Sequence, residues 1–254
     1  MLRILYHDPY LIAVDKPSGL LVHRSELDRH ETRFALQMLR DQIGRHVFPV
    51  HRLDKGTSGV LVFALDRDTA ASLATAFETR SVAKRYLAVV RGHPPEHGVI
   101  DHALSRRYDA VESRRASALE PSQEAVTRFT RIATVELPYR VDRYPSSRYA
   151  LLALSPQSGR RHQLRRHLKH VSHPIIGDAT FGKGRHNRLF AELFGVGRLL
   201  LACTGLRFAH PHSGAPLELV CEPAADFMRV VEALGWAPVP RVALAAPASP
   251  PDGG

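Results

Sequence analysis

Short apolar segments separated by charged turns dominate the pattern along this chain. Ile4-Leu5-Tyr6 and Leu11-Ile12-Ala13-Val14 predict two strands parted by a turn at Asp8-Pro9, and Val60-Leu61-Val62-Phe63-Ala64 predicts a buried strand. Lys84 to Gly92 alternates, with Tyr86, Ala88 and Val90 on one face and Leu87 and Val89 on the other. Val126–Glu136, Arg148–Leu154, Leu199–Ala202, Leu206–Ala209 and Leu217–Val220 are further strand candidates. Helical spacing appears in four places. Thr32–Ile43 carries Ala35, Met38, Leu39 and Ile43 and stops at Gly44, a suitable residue just past a helix end. Asp68 is placed to cap a helix reaching Arg80, with Leu73, Ala76 and Phe77 inward. Ser158 or Gly159 opens a third, with Leu164, Leu168 and Val171 as its buried stripe and Arg161, Arg165 and Lys169 as a row beside it. Arg165 is then at the edge of the core, while Arg161 and Lys169 stay wet. Ala224–Leu234 is the fourth helix, followed by Trp236. The polar stretch 105–123 predicts a mobile surface loop, and the Pro- and Ala-rich end from Pro238 predicts a disordered tail over 238–254.

Composition narrows the class of protein. The 254 residues are 44% hydrophobic and 24% charged, ordinary for a globule with a substantial core. No apolar run reaches the length of a membrane span and no signal-peptide pattern opens the chain. Cys203 and Cys221 lie far apart, as expected of two reduced thiols in a cytoplasmic protein. Charge changes the picture more. Lys and Arg number 35 against 25 acids, a net +10, and the segment Arg143–Gly177 holds seven of the cations and no acid. So local a basic tract points to a polyanion, RNA or DNA ahead of a membrane, although a solvated basic face is the plainer alternative.

The candidate chemistry centres on His51-Arg52-Leu53-Asp54-Lys55-Gly56-Thr57-Ser58-Gly59, which runs straight into the Val60–Ala64 strand. Asp54 sits between two cations that favour its ionised form, as a nucleophile requires, and Gly56 and Gly59 bracket a tight bend. A structural ion pair would use the same residues. A serine nucleophile elbow would not, because Val60 stands where Gly-x-Ser-x-Gly needs its last glycine. The Gly182-Lys183-Gly184 stretch lacks the spacing of a phosphate loop, and His162, His167, His170 and His173 lack the partners of a zinc site. A glycosidase needs two cooperating carboxylates, and the motif offers one.

His-Arg-Leu-Asp-x-x-Thr-Ser-Gly resembles the catalytic motif of the RluA family of pseudouridine synthases. Two more motifs follow in the family's order. Lys84-Arg85-Tyr86-Leu87-Ala88-Val89-Val90-Arg91-Gly92 is similar to its Lys-x-Tyr-x-Ala-x-Val-x-Gly, and Ser158 to Leu168 to its Thr-Gly-Arg-x-His-Gln-Leu-Arg-x-His-Leu, with Ser158 in place of Thr. Tyr6 to Leu21 resembles the opening motif, with Asp15 where Asn is usual before Lys16-Pro17-Ser18-Gly19, and His173 to Asp178 continues the third. Lys16 is expected as an exposed turn lysine. Within the family, stretches such as Asp41–Phe48, Arg143–Tyr149 and Arg185–Arg188 resemble the members that act on uridine 65 of tRNA.

The resemblance implies an α+β fold, a long, mixed, largely antiparallel sheet flanked by helices with a central cleft, over a catalytic domain spanning 1–237. No S4-type RNA-binding module is expected ahead of a strand that begins at residue 4. It implies an isomerase that detaches the uracil of a tRNA uridine and rejoins it through C5, a redox-neutral reaction needing neither metal nor cofactor. Asp54 would be the nucleophile, at the ribose anomeric carbon or on the uracil ring. Arg165 would pair with Asp54, and Tyr86 would lie against the base and move a proton. Arg52, Thr57, Arg160, Arg161 and Lys169 are expected to bind RNA, with Arg52 filling the space of a flipped base or holding the flanking phosphate. tRNA is the partner expected, no membrane is, and a monomer suffices. Ribosomal RNA, another tRNA uridine and a non-catalytic RNA-binding protein of the same fold are the alternatives, the last of which has no need of Asp54, Tyr86 and Arg165 together.

Overall fold

The structure is a computed structural model that describes residues 1–24, 31–105, 122–240 and 244. Among the described residues, ten strands and five helices follow in the order β1 (Arg3–His7), β2 (Leu11–Lys16), α1 (Ala35–Ile43), β3 (Phe48–Pro49), β4 (Ser58–Ala64), α2 (Arg67–Glu78), β5 (Ala83–Arg91), β6 (His97–Asp101), β7 (Val126–Leu137), β8 (Ser147–Pro156), α3 (Gln163–His170), α4 (Gly184–Phe194), β9 (Leu201–Ala209), β10 (Pro216–Val220) and α5 (Ala225–Ala233). The strands form one sheet in the order β1-β2-β4-β9-β5-β8-β7-β6, with β10 on β9 and β3 on β4. Every pairing is antiparallel except β4 with β9. This is the mixed, largely antiparallel α+β architecture expected.

Period-two alternation explains how the central strands are covered. Leu87 and Val89 of β5 and Tyr149, Leu151 and Ala153 of β8 pack with Phe190 of α4 and Phe227, Val230 and Val231 of α5. Ala88 and Val90, with Ala150, Leu152 and Leu154, pack with Leu164 and Leu168 of α3. Both faces are buried, so these strands read as near-continuous apolar runs. A third cluster joins β2 and β4 to α1 and α2.

The two halves of the sheet meet where β4 and β9 run parallel through Ser58–Ala202 and Gly59–Cys203. Gly59 has φ +108°, and a Cβ there would stand 2.0 Å from the Cys203 carbonyl oxygen. Only glycine permits that approach. Opposite, β5 and β9 shift register between Arg85 and Tyr86, leaving Thr204 as the bulged residue. Buried Arg85 clamps the bulge, donating from Nε to Thr204 Oγ1 (3.2 Å) and from Nη2 to its carbonyl (3.3 Å). Bulges re-aim the next side chain, and the next one here is Tyr86.

Several expectations shift. Asp66 caps α2, accepting from Thr69 N at 2.8 Å, and Asp68 lies in the first turn. The strands expected at 199–202 and 206–209 are one strand, β9. Helix α3 starts at Gln163 with His162 as its cap, four or more residues later than expected. β3, β6 and α4 have no counterpart in the hydrophobic pattern as read above. Lys16 is the largest departure, for it ends β2 fully buried. Most of the 105–123 loop lies outside the described residues, as do 241–243 and 245–254 of the expected tail. Within that tail, Val239 packs on the α4–α5 cluster and Leu244 is buried.

Candidate active site

Asp54 lies in the bend before β4, closed by Thr57 N donating to the Asp54 carbonyl at 3.0 Å. The turn after β2 holds this bend in place. Gly19 N donates to the Lys55 carbonyl (2.8 Å) and Ser18 Oγ to the Gly56 carbonyl (2.7 Å). Lys16 Nζ lies within hydrogen-bond range of the carbonyls of Leu20 (2.7 Å), Pro17 (2.9 Å) and Lys55 (3.2 Å). Burial pushes Lys16 down to about 7, while nearby Asp54 pulls the other way. Three carbonyl acceptors match the three donors of an ammonium, so Lys16 is a strut beneath the loop.

Arg165 of α3 reaches Asp54 from the other side, donating from Nη1 to Oδ2 at 3.0 Å. Its remaining edge grips Asp178, Nε to Oδ2 at 2.7 Å and Nη2 to Oδ1 at 2.9 Å. The Asp178 side chain is 0% exposed, against 12% for Arg165 and 20% for Asp54. Burial raises the Asp178 carboxyl, but the Arg165 hydrogen bonds and the amides of Phe181 and Thr180 reverse this and hold it below the ordinary value. Burial likewise works against the Arg165 charge, and the two carboxylates more than restore it. Phe181 adds a ring 5.0 Å from the guanidinium carbon and 5.9 Å from Lys169 Nζ.

His162 has φ +57°, in the left-handed region that side chains other than glycine seldom occupy, and its Nε2 stands 3.8 Å from Asp54 Oδ1. The loop before it is built on Gln163, whose Oε1 accepts from Ser158 Oγ (2.8 Å) and Arg160 N (3.0 Å). These bonds hold 158–162 as a loop instead of a first helical turn. His167 and His173 turn to other partners, Thr127 and the His102 and Arg91 carbonyls, so the four histidines do not converge.

Two cavities flank the Asp54–Arg165 pair. One, of about 490 Å³, is lined by His51, Asp54, Tyr86, Leu164, Arg165 and Leu201 among others. The second, about 510 Å³, shares Asp54 and Arg165 and adds Val22, Asp178 and Arg198. Burial, then the neighbouring Cys203, raises Tyr86 well above the usual phenol value, so the hydroxyl stays protonated. Burial takes the Cys203 thiol up to about 12. His51 accepts from Val62 N (3.0 Å), stacks on Phe77, and is pushed down to about 3 by burial, so it stays neutral.

A family model described as RNA pseudouridylate synthase matches residues 10–170. The chain belongs to that family. The tRNA pseudouridine synthase C of Vibrio vulnificus (strain CMCP6) is 47% identical over 236 residues, covering 93% of this chain and 96% of that one. The protein of the same name from Vibrio parahaemolyticus serotype O3:K6 (strain RIMD 2210633) is 49% identical over 225 residues, 89% and 91% of the two chains. Among solved structures, human RNA pseudouridylate synthase domain containing 1 superposes with a TM-score of 0.67 at 26% identity, over 94% of this chain and 97% of that one. The chain is thus an isomerase of the pseudouridine synthase fold.

Of the residues singled out in this synthase's sequence, Asp54, Tyr86 and Arg165 meet at the first cavity. Arg52, Thr57, Arg160 and Arg161 also line it, though the Thr57 side chain is buried and Arg161 is half-buried instead of wet. Lys169 is exposed and stands beside Phe181, outside both cavities. The pairing of Arg165 with Asp54 is present, but Asp54 takes one donor where Asp178 takes two. Asp178, His162 and the strut role of Lys16 were not read from the sequence as parts of the site. The motif match covered all three positions, and that was the available signal.

Proposed function

We propose that this chain converts uridine to pseudouridine in tRNA, at uridine 65, with Asp54 as the nucleophile. The observation that carries the reading is an Asp54 carboxylate tied through one oxygen to Arg165 on the wall of a cavity that also holds Tyr86. The second oxygen, Oδ1, takes no bond from the guanidinium, stands 3.8 Å from His162 Nε2, and is the one that reacts. Extensive identity to proteins named tRNA pseudouridine synthase C favours tRNA over ribosomal RNA.

The reaction breaks the bond from N1 of uracil to C1′ of ribose and forms one from C5 to C1′. C5 loses a proton, N1 gains one, and no electrons are exchanged overall. Asp54 forms the transient covalent bond, at the anomeric carbon or on the ring, and is released when the new carbon–carbon bond is complete. Tyr86 lies against the base, and its protonated hydroxyl relays the C5 proton. Leaving the stem stack costs the target base a few kcal/mol, and Arg52, exposed at the cleft, holds the flanking phosphate. Arg160 and Arg161 hold the backbone beside the cleft and Lys169 extends the track. The enzyme acts as a monomer in the cytoplasm, where its tRNA partner is found. Among the described residues no helix is long and apolar enough to cross a membrane.

Mapping pseudouridines in total RNA from a strain lacking the gene tests substrate and position together. Loss of the modification at tRNA position 65 alone is expected. Loss confined to ribosomal RNA would replace this reading with the ribosomal one.

A further inference from the structure

We infer that Asp178 is a positioning residue that restricts Arg165 to a single hydrogen bond with Asp54, keeping the guanidinium off Oδ1, the attacking oxygen, from which His162 Nε2 stands back at 3.8 Å. This deepens, and rests on, the reading of Asp54 as nucleophile. A guanidinium facing one carboxylate favours a two-pronged grip. Such a grip on Asp54 would occupy both its oxygens and hold the negative charge where it is least reactive. Here the fork goes to Asp178 through Nε and Nη2, and Asp54 receives only Nη1, at Oδ2.

Asp178 is built to keep that share. Its side chain is fully buried, and Oδ1 accepts the amides of Thr180 and Phe181 at 2.9 Å each. Asn187 of α4 braces the same turn from outside, donating to the Asp178 carbonyl (3.0 Å) and accepting from Gly177 N (2.9 Å). Gly177 has φ +77°, and a Cβ there would stand 1.8 Å from the Arg198 carbonyl oxygen, so the turn has no room to slide. The chain of contacts Asn187–Asp178–Arg165–Asp54 therefore runs from a helix surface to the nucleophile.

Asp178→Asn tests this. The amide oxygen still accepts from Thr180 and Phe181, while its NH2 repels Arg165 Nε and turns the fork toward Asp54. With unmodified tRNA transcript carrying 5-tritiated uridine, kcat should fall about 10²-fold, the scale of a misplaced reacting group. KM should stay within about threefold, because the change reaches the reacting group and not the RNA contacts. A kcat within threefold of wild type overturns the inference, as does a fall in kcat matched by a rise in KM and a lower melting temperature, which packing damage alone would give. If Asp178→Asn does not fold, Arg165→Lys decides: its ammonium lacks the fork. Loss of kcat with KM retained supports the inference, and wild-type kcat refutes it. Asp54→Asn is assayed alongside. Its activity would refute the nucleophile reading itself, whereas an inactive Asp54→Asn beside a fully active Asp178→Asn refutes only the positioning role.

Discussion

Asp54 and Tyr86 stand at one cavity, yet their environments differ sharply. Asp54 is partly open and held by a cation, while Tyr86, also partly buried, packs on the β2–β4 core and is raised well above the ordinary phenol range. A hydroxyl so raised is not a standing phenolate. On the proposed relay role, Tyr86→Phe keeps the ring and removes the proton carrier, so kcat should fall by about 10²–10⁴-fold with the melting temperature little changed. Turnover within a few-fold of wild type would leave Tyr86 a stacking group only. The identity of these two residues was legible because each sits in a motif with a specified neighbourhood. Lys16 was not, since a turn signal of Pro and Gly says nothing about the carbonyls of Leu20 and Lys55 that converge on it from across the turn. Asp178 escaped notice for the same reason. Its partner is 13 residues away and the pairing depends on how α3 docks.

Among the elements, strands with strict alternation were read nearly to the residue, and helices were read where an apolar stripe was present. α3 began late because Gln163 satisfies the backbone and side chains of the preceding loop, a tertiary effect with no local signature. β9 was split because Cys203, Thr204 and Gly205 look like a break, whereas they form the bulge opposite Tyr86. The β1–β2 turn provides a test at this scale. Asp8 accepts from Tyr10 N, Leu11 N and Tyr6 Oη, and meets His210 Nε2 from the β9–β10 turn at 2.7 Å. Burial raises its carboxyl, but these bonds outweigh it and bring it to about 2. Below an unfolded value near 4 the unfolded chain takes up a proton that the folded one refuses, so this stability is present above about pH 4 and lost as pH falls toward 2. Asp8→Asn should be less stable at neutral pH and show a flatter decline from pH 4 to 2 in acid unfolding. An equally steep decline would show that Asp8 does not carry that dependence.

Over the whole molecule, the basic tract of the sequence is divided by the fold. Arg143 and Arg148 lie at the far end of the β7–β8 hairpin, where Arg148 pairs with Glu136, roughly 26 Å along β8 from Pro156 at the cleft. Arg160 and Arg161 line the cleft, Lys169 lies beyond it, and Arg52 joins them from a different segment. With these four cations meeting phosphates, log K against log[salt] should slope at about −3 to −4, at roughly −0.7 to −0.9 per contact. Arg161→Ala should flatten it by about one contact and Arg148→Ala by none. Arg165→Ala should leave the slope alone, abolish most turnover, and destabilise the fold by about 3–5 kcal/mol, because it strands the buried Asp178 carboxylate. A slope flattened equally by Arg165→Ala, with turnover retained, would make Arg165 an ordinary backbone contact. Tract length was visible in the sequence, but its division between two ends of the sheet required the topology.

The most direct test of the nucleophile is site-resolved pseudouridine formation on unmodified tRNA by wild-type protein and Asp54→Asn, with RNA binding measured on the same samples. The wild type should modify uridine 65, and Asp54→Asn should form no product while binding within about tenfold, or about 1.4 kcal/mol, of wild type. Turnover by Asp54→Asn above roughly one per cent of wild type would contradict it, since Asp54 removal should cost far more than the 10²-fold of a lost auxiliary group.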